Sequence, residues 1–389
     1  MYKISTLNKI SPVGLGRLGD QYTISENLEE AAGIIVRSAD MHEMDFSSNL
    51  MAIGRAGAGV NNIPLDKCAE QGIVVFNAPG ANANAVKELV IAGMLMASRN
   101  IPSALSWARG LKEDVKKTVE KGKSQFAGNE ISGKTLGVIG LGAIGVMVAN
   151  SAHDLGLNVV GYDPFISLKS AHALDRSIPV VADLAALLPQ CDYVTIHVPV
   201  MEDTKGMMDA RRFAQMKDGA VLLNFARDTL VNDEAVLEAL SEGKLKYYVT
   251  DFPNDTVINK EGVIATPHLG ASTAEAEDNC AIMAAEQLMD YIENGNIVNS
   301  VNYPQCFLEP SSSEDTRICI LNKNIPSVLG SITGMMADMG INIDNMTNAS
   351  KGDYACTLMD AAGLKAEAVD EVEASIAAID GIIKVRIIK

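Results

Sequence analysis

Short apolar runs alternate with helical patterns through the first 270 residues of the chain. The first runs are GIIVRSA, MAIGRAG and GIVVFN, and a second series contains TLGVIGLGAIG, NVVGYDP, YVTIHVP, AVLLNFARD, YVTDFP and VIATPHLG. This alternation is typical of βαβ units on a parallel sheet, where ligands bind beyond the carboxyl ends of the strands. It predicts an α/β fold with its chemistry at the strand ends.

Helical and strand patterns also organise the rest of the chain. Residues 86–99 are apolar nearly all round a helix, which predicts a buried helix, and residues 272–293 predict a further helix before Gly295. The segment SVNYPQCFLEPSSSED has the Pro and Ser content of a linker. Residues 316–389 then show the order β, α, β, β, α, β, which predicts a small α+β module.

The composition fits a globular protein of two or three domains. Of its 389 residues 48% are hydrophobic, and 32 Lys and Arg against 49 Asp and Glu give a net charge of −17. This charge argues against nucleic acid or an anionic membrane as the main partner. A small anionic substrate would need a local cluster of Arg or Lys to overcome it.

The cysteines and the N-terminus bear on metal binding and location. The six cysteines are scattered without C-x-x-C spacing, which indicates neither a zinc site nor a disulfide framework and favours a reducing cytoplasm. The N-terminal MYKISTLNKI lacks the features of a signal peptide, and apolar stretches stop well short of ~20 residues. We therefore predict no metal, no membrane span and a cytoplasmic protein.

The sequence GLGAIG contains Gly140, Gly142 and Gly145 directly after an apolar run, and Asp163 ends the next run. Such glycines let backbone N–H groups approach a pyrophosphate at a helix N-terminus, and an acidic residue at this distance binds the adenosine ribose. The motif predicts NAD binding, and Asp163 would repel the 2′-phosphate of NADP. The alternative is a glycine-rich turn that only packs helix on strand.

Five histidines limit the candidates for a proton carrier. His42, His153 and His172 lie in polar or helical surroundings typical of the surface, whereas His197 and His268 follow strand-like runs. His197 fits a structural turn residue beside the cofactor. His268 has a Gly nearby that allows close ligand approach, so we favour a catalytic role over a capping role.

Three arginines also follow strand-like runs. Arg227, in NFAR, is placed to hold a carboxylate in a bidentate grip, although Asp228 offers it an ordinary ion-pair partner. Arg37 and Arg55 follow runs in the first part of the chain, and each alone fits a surface salt bridge. Together the three supply the positive cluster that an anionic substrate requires.

The strings VRSA, GRAGAGVNNI, GLGAIG, YDP, HVP, NFAR and PHLGAST together resemble the D-isomer-specific 2-hydroxyacid dehydrogenases over essentially the full chain. The resemblance implies a Rossmann dinucleotide-binding domain, residues 81–270, inserted in a flavodoxin-like substrate-binding domain formed by residues 1–80 and 271–306. A linker, 307–315, and the module 316–389 would follow.

The resemblance also implies roles for individual residues. In that family the Arg that matches Arg227 binds the substrate carboxylate, and the His that matches His268 carries the hydroxyl proton. The Asp that matches Asp251 holds the nicotinamide carboxamide, and the residues that match Arg37 and Arg55 contact phosphorylated substrate. The other matched positions are Ser38 and Asn82 for the substrate, and Ala143, Ile144, His197 and Gly270 for the cofactor.

The chain departs from the family around its catalytic pair. The Glu that normally hydrogen-bonds the catalytic His is replaced by Thr256, and Asp255 would reach His268 only if this turn contains a deletion. Lys87 replaces a small residue in the helix that lines the cleft. Lys87 either takes part in proton transfer or substrate binding, or is an exposed helix residue paired with a carboxylate.

The C-terminal module resembles an ACT domain, a small-molecule sensor. The matching effector positions are Asn322, Asn324 and Asn342, but Asn322 stands where that family has His and Ser327 where it has Gly. The module therefore indicates either an L-serine sensor or a packing element of a homo-oligomer.

These expectations combine into one function. The resemblance implies NAD-dependent oxidation of D-3-phosphoglycerate to 3-phosphohydroxypyruvate, the first step of L-serine biosynthesis, by a homo-oligomer, either a dimer or a tetramer. A hydroxypyruvate or glyoxylate reductase of the same family and a non-catalytic NAD-sensing scaffold are the alternatives.

Overall fold

The computed structural model describes residues 1–309, 316–364 and 366–388. The chain divides into two compact units, Met1–Ala81 with Glu277–Lys389, and Asn82–Ala276. Most of the predicted linker, residues 310–315, and the last residue of the predicted module, Lys389, lie outside the described residues. Within the described ranges no helix has both the length and the apolar character that a membrane crossing needs.

The first unit begins with a five-stranded parallel sheet of order β2-β1-β3-β4-β5, which is the flavodoxin-like order. Two short helices accompany it. The strands are β1 (Tyr2–Leu7), β2 (Tyr22–Ile24), β3 (Gly33–Val36), β4 (Ala52–Arg55) and β5 (Val74–Phe76), and the helices are α1 (Pro12–Leu15) and α2 (Leu65–Glu70).

The second unit is built on a six-stranded parallel sheet of order β11-β10-β9-β8-β6-β7. A parallel bridge from Gly161 to Val180 extends it beyond β7, and the strand order reverses between β6 and β8, which is where Rossmann folds bind dinucleotides. The strands are β6 (Thr135–Ile139), β7 (Asn158–Tyr162), β8 (Tyr193–Ile196), β9 (Ala220–Asn224), β10 (Leu245–Thr250) and β11 (Val263–Ala265).

Helices surround this sheet, and α3 is the most apolar of them. It packs against α6, β9 and β10, so closely that a Cβ on Gly93 would lie 2.8 Å from the Phe225 ring. The helices are α3 (Ala83–Ser98), α4 (Ile101–Arg109), α5 (Val115–Gly122), α6 (Ala143–Asp154), α7 (Leu168–Ala173), α8 (Leu184–Leu187), α9 (Ala210–Gln215) and α10 (Asp233–Ser241).

The long helix α11 (Ala274–Asn294) leads to a four-stranded antiparallel sheet of order β13-β14-β12-β15. The predicted order of strands and helices in this module is confirmed. Its elements are β12 (Thr316–Lys323), α12 (Val328–Asp338), β13 (Asn342–Lys351), β14 (Tyr354–Ala362), α13 (Val369–Ala377) and β15 (Ile382–Ile388); 3₁₀ turns occur at Leu28–Glu30, Lys123–Phe126, Leu188–Gln190, Asp228–Leu230 and Ala366–Ala368.

Both faces of the two central strands of the C-terminal sheet, β12 and β14, are covered. Ile318 and Ile320 pack with α12 and α13, whereas Cys319 and Cys356 share one apolar core with Tyr291 of α11 and with the first sheet. Alternate residues of these strands therefore face two different apolar cores, one formed with α12 and α13 and the other with α11 and the first sheet.

Two arginines of this module bind the C-terminal end of α11. Arg317 donates to the carbonyl of Asn294 at 3.3 Å, and Arg386 donates to the carbonyls of Tyr291 at 3.0 Å and Ile292 at 2.6 Å. The last carbonyls of a helix have no partner within it and carry partial negative charge, so cations are favourable there. We call Arg317 and Arg386 the α11 clamp.

Candidate active site

The glycine-rich loop joins β6 to α6 at the reversal of strand order. Gly140 has φ +92°, and a Cβ on Gly145 would lie 1.8 Å from the Gly140 carbonyl oxygen. Gly142 precedes the first turn of α6, and a Cβ there would meet no atom within 4 Å. The turn itself therefore requires Gly140 and Gly145. Gly142 instead leaves open space in front of the helix N-terminus, which suits a pyrophosphate.

Asp163 ties the end of β7 to this loop. Its Oδ2 accepts from the N–H of Leu141, and its Oδ1 accepts from the N–H of Phe165, each at 2.8 Å. Each carboxylate oxygen has a second lone pair, so the side chain can still accept ribose hydroxyl groups. Ala143 and Ile144 form the first turn of α6, next to the open space.

His197 belongs to the wall of the same loop. Its carbonyl oxygen would lie 2.6 Å from a Cβ on Gly140, and its Nε2 is 2.9 Å from Thr195 Oγ1. Burial lowers the pKa of His197 to about 3, so its ring is neutral at physiological pH. This supports a structural role beside the cofactor loop.

Asp251 follows β10 and is fully buried. Its Oδ2 accepts from the N–H groups of Leu269 at 3.1 Å and Gly270 at 2.9 Å, whereas its Oδ1 has no hydrogen-bond partner among the described residues. Burial raises the pKa of Asp251 above its usual value. A buried acceptor without a donor matches a ligand amide, so the nicotinamide carboxamide fits this position.

Arg227 and His268 meet at one aromatic ring. The Phe252 and His268 ring centroids are 4.4 Å apart at 45°, and the Arg227 guanidinium lies 5.4 Å from the Phe252 centroid. Both polar side chains belong to exposed residues. They stand at the carboxyl ends of β9 and β11, on either side of Asp251, so a carboxylate-binding cation and a proton carrier are brought together.

Sequence reasoning missed Asn224, which shapes the turn that carries Arg227. It is fully buried, its Nδ2 donates to the Arg227 carbonyl at 2.8 Å, and its Oδ1 accepts from the N–H of Ala226 at 3.2 Å. Phe252, the ring at the centre, was missed as well. For Asn224 the sequence did contain a signal, because it is the one polar residue of the otherwise apolar strand AVLLN.

Lys87 and Asn82 lie at the N-terminal end of α3. The Lys87 side chain is 19% exposed and its Nζ is 3.8 Å from Glu88 Oε1, while Asn82 precedes the helix and makes no side-chain capping bond. Val86 Cγ2 would lie 3.4 Å from a Cβ on Gly270, so this end of α3 packs near the loop after His268.

Asp255 is not brought to His268. It is exposed, and within the described part of the chain no hydrogen bond or ion pair joins the two residues. Asn254 holds this turn instead, because its Oδ1 accepts from the Thr256 N–H at 3.0 Å and its Nδ2 donates to Asp233 at 2.8 Å.

Within the first unit, Arg37, Ser38 and Arg55 lie at the ends of adjacent strands. Arg37 pairs with Glu277 at 2.8 Å, and the Ser38 N–H donates to Asn8 at 2.9 Å. Gly57 leaves room for the Arg55 side chain, because a Cβ there would lie 1.7 Å from its Nη1. The Arg37 and Arg55 guanidinium groups both act on the buried thiol of Cys280. Burial raises the pKa of this thiol, and the two positive charges offset only part of that rise.

The three candidate effector residues are not gathered within one chain. Asn322 ends β12, whereas Asn342 begins β13, beside the start of β12 in the sheet. Six residues of strand separate the two ends, or about 20 Å. Asn324 donates to the Gly352 carbonyl at 3.0 Å and lies at the Asn322 end. The described residues contain no group of three or more His, Cys, Asp or Glu placed to hold a metal ion.

Comparison with known proteins agrees with this geometry. A family model for the NAD-binding domain of D-isomer-specific 2-hydroxyacid dehydrogenases matches residues 91–270. The NAD⁺-bound 3-phosphoglycerate dehydrogenase of Entamoeba histolytica has a TM-score of 0.60 and 27% identity, covering 79% of this chain and 99% of that chain.

Curated relatives match most of the chain. The D-3-phosphoglycerate dehydrogenase of Haemophilus influenzae is 35% identical over 311 residues, 77% of this chain and 72% of that protein. That of Methanocaldococcus jannaschii is 36% identical over 315 residues, 78% of this chain, and the match spans little more than half of that protein, 58%. The chain belongs to the D-isomer-specific 2-hydroxyacid dehydrogenase family and carries its NAD-binding domain.

Proposed function

We propose that the protein catalyses NAD-dependent oxidation of D-3-phosphoglycerate to 3-phosphohydroxypyruvate, the first step of L-serine biosynthesis. The observation that supports this most is the meeting of Arg227 and His268 at one ring, beside the unpaired Oδ1 of Asp251. The names of the curated relatives support the choice of substrate.

Each residue has a defined task in this reaction. Arg227 holds the C1 carboxylate in a bidentate grip, and a ring nitrogen of His268 takes the proton of the C2 hydroxyl. Asp251 orients the carboxamide, Asp163 binds the ribose, and the loop that ends at Gly145 faces the pyrophosphate. When bound, NAD supplies the acceptor for the hydride that leaves C2. The lost hydride and proton convert the alcohol to a ketone.

We assign the phosphate to Arg37 and Arg55. The net charge of −17 repels a triply charged acid, so local guanidinium groups must offset it. Arg37 already pairs with Glu277, and substrate phosphate would compete with that carboxylate. Lys87 assists by binding substrate or moving the proton, and its local pairing with Glu88 is the competing role.

A steady-state assay of NADH formation tests the proposal. We expect kcat/KM for 3-phosphoglycerate to exceed that for unphosphorylated glycerate by at least about 100-fold, because two charged hydrogen-bonding partners are lost. Arg37→Met should remove most of this preference, whereas Arg17→Met, an exposed arginine of the same unit, should keep it. Equal oxidation of glycerate, or NADH consumption with hydroxypyruvate as fast as with 3-phosphohydroxypyruvate, would indicate a reductase, and NAD binding without turnover would indicate a scaffold.

We further propose a cytoplasmic homo-oligomer that responds to L-serine. The six cysteines are all free and buried, which supports a reducing compartment. Asn342 and the Asn322–Asn324 end belong to opposite ends of one sheet, so a site that uses all three requires a second copy of the chain. Light scattering with and without L-serine, together with the NADH assay, tests both points; a serine-insensitive monomer would overturn them.

A further inference from the structure

We propose that Phe252 is a positioning residue, whose ring holds the His268 imidazole and the Arg227 guanidinium in their working orientations. This inference rests on the proposed function, since it assigns those two residues their roles. In the family that the chain belongs to, a Glu orients the catalytic His; Thr256 occupies that position here. The structure places an aromatic ring against the imidazole.

The carboxylates near His268 do not replace that Glu. Asp251 interacts electrostatically with His268, but its Oδ2 accepts from the N–H groups of Leu269 and Gly270. Asp255 is exposed, and among the described residues it makes no hydrogen bond or ion pair with His268. Across the described residues no carboxylate oxygen hydrogen-bonds to the imidazole, so ring packing is what restrains it.

The contacts of Phe252 suit this task. A centroid separation of 4.4 Å at 45° is a close tilted packing of two rings, an arrangement that stabilises ring pairs beyond the burial of their area. The guanidinium at 5.4 Å lies within cation–π range. One rigid side chain therefore touches both polar groups, and it can fix their separation as well as their individual rotamers.

The backbone around Phe252 is itself well fixed. The residues on its N-terminal side, Thr250 and Asp251, are fully buried, and the Phe252 N–H donates to Thr250 Oγ1 at 3.0 Å. Pro253 follows, which restricts Phe252 to extended backbone conformations. A ring attached to such a short and constrained segment has little freedom, so it can act as a support for more mobile neighbours.

The test compares Phe252→Leu, Phe252→Tyr and a matched control in the intact enzyme. Leu keeps apolar bulk but removes the ring, and Tyr restores it. We expect Phe252→Leu to lower kcat about 10-fold and to raise KM for 3-phosphoglycerate several-fold, because both His268 and Arg227 lose their support. Phe252→Tyr should stay within about 2-fold of wild type. The control Phe126→Leu breaks the Trp107–Phe126 pair, with centroids 5.4 Å apart, and should leave kcat and KM unchanged.

A double-mutant cycle separates positioning from a structural role. In a His268→Gln background, Phe252→Leu should lower the residual kcat much less than in wild type, since the ring then has no imidazole to orient. A full additional 10-fold loss in that background, or wild-type kcat for Phe252→Leu, would overturn the proposal.

An NMR measurement keeps the inference distinct from the proposed function. The ring current of Phe252 should shift the His268 Cε1 proton, assigned by its absence in His268→Gln, and Phe252→Leu should abolish that shift while Phe252→Tyr keeps it. If wild type fails to oxidise 3-phosphoglycerate but the shift is present, the proposed function fails and the ring contact stands. If activity is found and Phe252→Leu leaves the resonance unmoved, the Phe252 proposal fails alone.

Discussion

Asp251 carries the most unusual electrostatics among the candidate site residues. It is fully buried, its Oδ2 accepts from two backbone N–H groups, and its Oδ1 has no hydrogen-bond partner in the part of the chain that the structure describes. A buried carboxylate oxygen without a hydrogen-bond donor is common at functional sites, where a bound ligand supplies the missing donor.

Asp251→Asn should therefore separate stability from cofactor binding. Burial raises the folded pKa of Asp251, so its contribution to stability is complete below the unfolded pKa of ~3.9 and is lost as pH rises through the folded value. The neutral variant escapes this loss, so we expect its free energy of unfolding at pH 7 to be higher than that of the wild type. Its amide N–H₂ would face the donor of the carboxamide, so KM for NAD should rise roughly tenfold. Denaturant unfolding at pH 5 and 7 and NAD titration measure both; a less stable variant with unchanged KM would contradict the assignment.

At the residue scale, much of the site could be predicted and its centre could not. Glycine spacing and the polar residues after each strand pointed to Gly145, Arg227 and His268, because parallel strands end at one edge. Phe252 gave no such signal, since a Phe after a strand is ordinarily core. Its contacts join the ends of three different strands, and only the folded chain brings those ends to one ring.

At the scale of single elements, the turn from β6 to α6 shows that neighbouring glycines have different physical reasons. Gly145 is required by the chain itself, whereas Gly142 meets nothing and has φ −76°, which any residue can adopt.

Alanine substitutions should distinguish the two. Gly145→Ala places a Cβ 1.8 Å from the Gly140 carbonyl, and we expect it to reduce the free energy of unfolding by about 3 kcal/mol. Gly142→Ala should change stability by less than about 0.5 kcal/mol but weaken NAD binding at least tenfold, because its methyl group stands where the pyrophosphate approaches. Chemical denaturation and fluorescence titration with NADH provide the two measurements. Normal NAD affinity in Gly142→Ala would place the pyrophosphate elsewhere.

Element prediction succeeded where strands are mainly apolar, including the three-residue strands β5 and β11, and failed where polar residues interrupt the apolar pattern. The β12–β15 strands and both helices of the C-terminal module follow the predicted order, because each strand presents residues to a buried face. The strands β1 and β2 were not predicted, because YKISTL and YTI both mix polar and apolar residues. The pairing of β1 with β3, and of β2 with β1, is a tertiary effect that the local pattern does not contain.

At the scale of the whole molecule, the C-terminal sheet and the first sheet share a core within one unit. Sequence patterns predicted the module but not this attachment, because the α11 clamp joins residues far apart in the chain. Arg317 also pairs with the buried Asp360 at 2.8 Å, so one side of the clamp is charge-balanced.

Arg386→Met should loosen the module and the first sheet together. The variant leaves the Ile292 carbonyl without the Arg386 donor and the Tyr291 carbonyl with only the N–H of Gly295, at 2.9 Å, which costs about 2 kcal/mol. In hydrogen exchange we expect peptides of β12 and β14 to lose protection along with β1, whereas the exposed Arg17→Met should change neither. Loss of protection confined to the module would mean that the two sheets unfold independently.

The attachment of β15 should also depend on pH. Burial lowers the pKa of Lys384 to about 8, and its Nζ donates to the Leu50 carbonyl at 2.7 Å. Between pH 8 and the unfolded pKa near 10.4 the unfolded chain binds the extra proton, so stability should rise across this window by about 2 kcal/mol after allowance for solvent screening. Lys384→Met should flatten that rise in denaturant titrations at pH 7.5 and 9.5. A stability that falls equally in both proteins would contradict the assignment.

Through helix α11, the α11 clamp connects the C-terminal sheet to the opposite end of that helix. Glu277, the partner of Arg37, lies near the start of α11, and the two clamp arginines bind its other end, about 20–25 Å away along the helix. A rotation of the C-terminal sheet would therefore act through α11 on Glu277, the counter-charge of Arg37, which is a proposed phosphate-binding residue.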